Sequence, residues 1–454
     1  AAVGPTAVGM VTSFVAFAIS NAMALPPTLD APAQPSQWSW GNRSRHSFMV
    51  ATSATSSKRF EDMAFPHENA TAAPTSGVAF QAFDWGALSD RDGQFRKISS
   101  VADELASAGI NAVWFPPPSQ SVDLQGYMPQ QWYDLEGSSA QQSAVKAVAS
   151  AGMIPVADVV VNHRTAPSKD SCTNDYTSFA QPAMGDADVV MNDYKCQSSA
   201  TFCSGCGCKN VDTGDNFCGC PDLDHASDNV QKLVGKYLFS LKAIGYKGFR
   251  FDMVKGYSPS FVGKYVSSSS PAFAVGEYFD GDVRVVSNWV RGTGLHSSAF
   301  DFPLRYVLKR VIQSNDFSEM YNSPGLIGQQ LAANSVTFLD NHDTARNDRF
   351  GDATALAMGY AFLLTHPGTP CVFWGDWQME PVKDKVKALI KVRTAAHLTP
   401  TSSWRRVQTS PGLYAAYIGE QVAVKLGTKD WAPDSSYTLQ VSGDNFAVWS
   451  KMTM

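Results

Sequence analysis

From Gly77 onward one unit recurs along the chain: an amphipathic helical stretch, a glycine, then a short run of β-branched and aromatic residues. Ile98, Val101, Leu105 and Ala108 fall at helical spacing, Gly109 can take the left-handed conformation that ends a helix, and NAVWF follows as a strand. The same order returns at Val145, Val148, Gly152 and IPVADVVV, and again at Leu233, Val234, Tyr237, Leu238, Leu241, Gly245 and KGFRFD. The strand-like runs are VAFQAF, AVWFPP, PVADVVV, KGFRFD, FAVGEYF, SAFDFPL, SVTFLDN and CVFWGD, ending near Phe83, Pro117, Asn162, Asp252, Glu277, Phe302, Asn341 and Gly375. Eight such runs predict an α/β fold, a closed parallel (β/α)8 TIM barrel. A doubly wound open sheet is the rival, but no glycine-rich phosphate loop follows the first run.

The spacing also sets the domain plan. The barrel is expected over 76–398. The stretch between the third and fourth runs is far too long for one βα unit, so it predicts an inserted domain over 163–225. Short alternating runs after the last helix (GLYAAYI, QVAVKL, YTLQV, FAVWS) predict a small antiparallel β-sheet domain over 399–454. Residues 1–75 read as a leader: Ala7–Ile19 is apolar but too short to span a bilayer, SNAMA resembles a signal-peptidase site, and Ala31–Phe60 carries Arg43, Arg45, Lys58 and Arg59 with no acid. A signal-like stretch followed by a transit-like one predicts either secretion or a plastid destination.

Among 454 residues, 44% are hydrophobic and 17% charged, which suits a packed core, and the net charge of −5 gives no basic surface for nucleic acid. No later segment reaches membrane-spanning length, so a monomer engaging neither nucleic acid nor, once mature, a membrane is expected. The 11 tryptophans exceed what a simple core needs and suit flat ligands such as sugars.

Charge at the ends of apolar strands needs a reason, because barrel enzymes place their chemistry there. In GFRFD, Arg250 and Asp252 share one face while Phe249 and Phe251 take the other. Glu277 follows an apolar run, Asp340, His342 and Asp343 cluster in TFLDNHDT, and Asp158, Asn162 and His163 end VADVVVNH. One carboxylate at a strand end is commonly a helix N-cap. Several acids on successive ends, each beside Arg or His, point instead to acid/base or nucleophilic work on a poorly reactive bond. Glycoside cleavage fits, since one carboxylate must protonate the leaving oxygen while another attacks or shields the anomeric carbon. An arginine beside the attacking acid keeps it ionised, and crowding among acids keeps a proton on the other.

DVVVNH (158–163), GFRFDMVKG (248–256), GEYF (276–279) and FLDNHD (338–343) resemble, in order, the diagnostic segments of the alpha-amylase family of glycoside hydrolases. The phrases SQSVDLQGYMPQQWYDL, VDTGDNF, KGYSP (255–259) and LTHPGTPCVF resemble its plant-type members, and the likeness runs from about Val78 to Trp449. The resemblance implies endo-acting, retaining hydrolysis of α-1,4 bonds in starch and related glucans. It implies Asp252 as nucleophile, Glu277 as general acid/base and Asp343 as the third carboxylate. Tyr127, His163, Arg250, Lys255 and His342 then match substrate-binding positions. Retention implies carboxyls of Asp252 and Glu277 about 5–5.5 Å apart. The inserted domain resembles the family's calcium-binding domain B: Asn162, Asp212 and Asp222 match side-chain ligands, and Asp215 and Gly256 positions that give backbone carbonyls. An all-oxygen set of that kind suits calcium.

The chain also departs from the plant-type pattern. Seven of its eight cysteines (Cys172, Cys196, Cys203, Cys206, Cys208, Cys218, Cys220) crowd into the insertion, where disulfides are expected ahead of a zinc site, and Cys371 reads as a buried free thiol. Gln329 and Gln330 stand where plant-type members carry paired surface tryptophans, which argues against granule binding at that place. The loop after YDLE is shorter than usual. The alternatives are a related α-glucan enzyme, transglycosylating or α-1,6-acting, and a non-catalytic glucan-binding homologue. The presence of all three acids weighs against the last.

Overall fold

A computed structural model describes residues 77–133, 139–192, 203, 205–217 and 219–451. The leader read over 1–75 and the loop after YDLE lie outside the described residues. The eight expected runs form β1 (Val78–Gln81), β2 (Ile110–Trp114), β3 (Ile154–Val159), β4 (Gly248–Phe251), β5 (Phe273–Gly276), β6 (Ser298–Phe300), β7 (Ser335–Phe338) and β8 (Thr369–Phe373). Each pairs in parallel with its sequence neighbours, and β8 closes on β1 with Ala79 opposite Cys371. A helix follows every strand: α1 (Arg91–Ala108), α2 (Ser139–Ser150), α3 (Asp228–Ile244), α4 (Pro259–Ser269), α5 (Val283–Gly292), α6 (Phe302–Ser314), α7 (Ala353–Thr365) and α8 (Glu380–Ala395).

Alternation along each strand makes two cores. Ala79, Ala112, Trp114, Val156, Val275, Phe300, Phe338 and Cys371 fill the barrel, while Phe80, Val113, Ala157, Phe249, Phe251 and Val372 pack outward against the helices. The helix ends follow the glycines: Gly109 and Gly245 cap α1 and α3 in the left-handed region, at φ 94° and 118°, which a β-carbon would strain.

Between β3 and α3 the chain leaves the barrel. The buried Arg164 guanidinium donates to the carbonyls of Gln130 (2.7 Å), Gln181 (2.6 Å) and Pro182 (2.8 Å), joining this insertion to the segment after β2. After α8, five strands form an antiparallel sheet in the order β9-β10-β11-β13-β12: β9 (Trp404–Ser410), β10 (Leu413–Ile418), β11 (Val422–Leu426), β12 (Thr438–Gly443) and β13 (Phe446–Ser450). Strand β9, WRRVQTS, is one more than the pattern foretold. It is an edge strand with no buried residue and an irregular register between Arg406 and Gln408, so it lacks the apolar alternation by which a half-buried strand is read. The sheet seats on α7, which is buried almost throughout. Among the described residues no helix is long and apolar enough to cross a membrane.

Candidate active site

Residues at the C-terminal ends of the strands converge on one guanidinium. Arg250 points into the barrel from β4, fully buried, with its plane over the Trp114 ring at 4.9 Å. Its Nη1 donates to Asp158 Oδ1 at 2.7 Å and to Asp252 Oδ1 at 2.6 Å, and its Nη2 pairs with Glu277 Oε2 at 2.8 Å. Backbone pairing continued past the strand ends aims the two outer acids: Asp252 N donates to Val159 O (3.0 Å) and Glu277 N to Phe251 O (2.9 Å). Asp158 is the fixed anchor of the group. It faces Arg250 across the β3–β4 register and also accepts from Trp114 Nε1 (3.0 Å) and Tyr127 OH (2.9 Å).

Several buried carboxylates around one cation cannot all be ionised cheaply. Burial, then the charges of Asp252 and Asp343, pushes the Glu277 carboxyl up to about 8 against the pull of Arg250. Burial raises Asp158 to about 6 and Asp343 above its ordinary range. Glu277 therefore carries a proton at neutral pH while keeping an accepted bond from Met253 N (3.2 Å).

Beyond β7 the chain turns on Asn341, whose Oδ1 accepts from the backbone N–H groups of Asp343 (2.9 Å) and Thr344 (2.8 Å). That turn sets His342 Nε2 3.2 Å from Asp343 Oδ2. Asp340, although next in the cluster, serves structure: it accepts from Phe350 N and Thr344 Oγ1 and pairs with Arg305 at 3.1 Å. Likewise Asp301 at the end of β6 is an N-cap, accepting from Leu304 N at 3.0 Å. Tyr127, Trp85 and His342 present parallel rings, Tyr127 to His342 at 5.2 Å and Trp85 to Tyr127 at 6.1 Å. His163 lies buried beneath Phe217, ring centroids 3.7 Å apart, with Nε2 2.8 Å from the Tyr127 carbonyl. Lys255 reaches Asp215 and Asp280, each at 3.3 Å, over the Tyr278 ring.

Some of the expected calcium ligands are tied to one another at the root of the insertion. Asn162 Nδ2 donates to Asp222 Oδ1 at 2.8 Å, and Asp215 N to Lys255 O at 2.9 Å. Gly256 is pressed onto the Asn162 amide so closely that a β-carbon there would lie 1.9 Å from Asn162 Oδ1. Asn162 Oδ1 and Asp212 Oδ2 are buried and have no hydrogen-bond partner among the described residues. Two buried oxygens left without donors, in a set made of amide, carboxylate and carbonyl oxygen, fit a hard cation.

Residues 395–450 match the alpha-amylase C-terminal beta-sheet domain. The chain is 31% identical over 405 residues to probable alpha-amylase 2 of Arabidopsis thaliana, covering 82% of this chain and 94% of that protein. The chain belongs to the alpha-amylase family. It is also 31% identical to alpha-amylase 3, chloroplastic, of the same plant, spanning 44% of that longer protein. Among solved structures, an alpha-amylase from Malbranchea cinnamomea superposes with a TM-score of 0.61 at 16% identity, over 78% of this chain and 85% of that one, a likeness of fold.

Within this amylase-family chain the cysteine cluster takes the disulfide form. Cys172 bonds to Cys206 and Cys203 to Cys208; Cys196 and Cys218 lie outside the described residues, and Cys220 is buried. Cys371 is a free thiol inside the barrel, pushed up to about 12 by burial. Sequence reasoning did not count Asp158, Gln81, Trp85, Phe217 or Asp280 among the site residues. Asp158 carried a readable signal, a charge inside an apolar strand on the face it shares with Asn162. Phe217 carried none, because its place over His163 is a loop contact.

Proposed function

We propose that this protein hydrolyses internal α-1,4-glucosidic bonds of starch and related glucans with retention at the anomeric carbon. The observation that carries the reading is one buried guanidinium shared by Asp252 and Glu277, at 2.6 and 2.8 Å. The Asp252 carboxylate attacks the anomeric carbon while Glu277 gives its proton to the departing glycosidic oxygen; the C1–O bond breaks and a glycosyl ester forms on Asp252. Glu277, now ionised, takes a proton from water, whose oxygen attacks the same carbon and frees Asp252. Asp343 and His342 bind hydroxyls of the sugar being distorted, the Tyr127 ring stacks on it, His163 beneath Phe217 braces the Tyr127 backbone, and Lys255 meets the chain beyond the cut. Arg250 Nη1 donates to Asp252 Oδ1 at 2.6 Å and so orients the attacking carboxylate.

Calcium would be held by side-chain oxygens of Asn162, Asp212 and Asp222 and backbone carbonyls of Asp215 and Gly256. Bound there, it ties the insertion to the end of β3 and supplies structural rigidity rather than a reacting group. The leader reading supports a secretory or plastid route, and a chloroplastic relative favours the plastid. Chromatography of products from soluble starch and pullulan tests the specificity: a spread of linear oligosaccharides from starch with pullulan left intact supports it, and debranching or cyclic products overturn it.

A further inference from the structure

We propose that Gln81, at the end of β1, is a positioning residue that fixes the tautomer of His342 and so the direction in which that ring donates. Both side chains are buried, and Gln81 Nε2 lies 2.9 Å from His342 Nδ1. The other ring nitrogen, Nε2, stands 3.2 Å from Asp343 Oδ2. In the proposed tautomer Nε2 carries the hydrogen and faces the Asp343 carboxylate, which when ionised only accepts. Burial, then the charge of Arg250, holds the imidazole well below its ordinary pKa against the opposing pull of Asp252, and so keeps it neutral. A neutral ring has one N–H, which leaves Nδ1 as a bare acceptor in a dry place, and the Gln81 amide supplies its donor.

The amide's own environment agrees. Gln81 Oε1 is buried with no hydrogen-bond partner among the described residues, so His342 Nδ1 is the contact that orients the amide. Turned over, the amide would set its oxygen against Nδ1, move the ring hydrogen there, and leave a lone pair facing Asp343. Packing removes other freedom: Phe83 and Trp114 lie against the ring at 5.3 and 5.8 Å, and Tyr127 parallel to it at 5.2 Å. The consequence rests on the reading of Asp343 as the carboxylate that holds sugar hydroxyls: Nε2–H and Asp343 then form a fixed donor–acceptor pair for one hydroxyl.

The test uses the full chain with 15N-labelled histidine, the His342 signals being identified by their loss in His342→Gln. The parent is expected to show a protonated Nε2 and a bare Nδ1 across roughly pH 5 to 8, the range in which an ordinary histidine titrates. In Gln81→Glu the carboxylate facing Nδ1 should draw a proton onto it, so that His342 titrates within that range and kcat falls about 10- to 100-fold, the usual loss for an orienting partner. Gln81→Met, which keeps the volume without a donor, should lower kcat similarly with no new titration. A parent ring protonated at Nδ1 overturns the proposal, as does a Gln81→Glu variant whose His342 signals and kcat–pH profile match the parent. The tautomer is read without substrate, so an inactive parent with Nε2–H would refute the glycosidase reading and leave the Gln81 assignment standing.

Discussion

Buried carboxylates and one guanidinium share the open end of the barrel, and the surplus negative charge is relieved by a proton on Glu277. An acid held up to about 8 is protonated throughout the neutral range and loses its proton as pH rises past that value. The sign of the pH effect follows: kcat/KM should fall on the alkaline side of about pH 8. Glu277→Gln removes that limb and lowers kcat on unactivated glucan by about 10²- to 10⁴-fold, the range for losing a general acid. Initial rates across pH for both proteins check this; an unchanged alkaline limb in the variant would show that another group sets it. The acids and Arg250 were legible because charge ends apolar strands. The anchoring role of Asp158 was not, since it depends on which residue faces Arg250 across a register that only folding sets. His163 and His342 differ in the same way: both follow an asparagine past a strand end in sequence, yet one ring is covered by Phe217 and the other by Gln81 and Trp114.

At the scale of elements, strands, helices and capping glycines were readable because each is a local period with a local stop. The insertion was readable only as excess length, since loops record no period. Among the described residues its order comes from ties distant in sequence: Arg164 to three carbonyls, the Cys172–Cys206 disulfide, and the Asn162–Asp222 bond. Calcium at 100 times its Kd would add about 2.7 kcal/mol to stability, so a chelator should lower Tm and activity together. Gly256→Ala should reduce that calcium-dependent gain, because its β-carbon would collide with the Asn162 amide oxygen. Calorimetry with and without chelator reads both; equal Tm under the two conditions in the parent refutes the calcium site. Edge strand β9 escaped notice for a related reason: pairing on one side and solvent on the other leave it free of the apolar alternation that marks its neighbours.

For the whole molecule, the C-terminal sheet and the barrel share α7 as a common buried wall. His366 at its end meets Tyr414 OH across that wall at 2.7 Å, and Gly368 N donates to Pro400 O at 2.9 Å. Such ties predict that the sheet and barrel unfold together. Tyr414→Phe, deleting one buried hydrogen-bonding group and leaving His366 short of a partner, should cost about 1–3 kcal/mol in denaturant unfolding without splitting the transition. Two separate transitions would show that the sheet is only loosely attached.

The claim on which the mechanism stands is that Asp252 and Glu277 act on the same linkage from a short separation. The most direct measurement is proton NMR of a maltooligosaccharide during the first moments of hydrolysis, before mutarotation scrambles the new reducing ends. Retention predicts that the α-anomer appears first and decays toward equilibrium; a first-formed β-anomer would contradict the account.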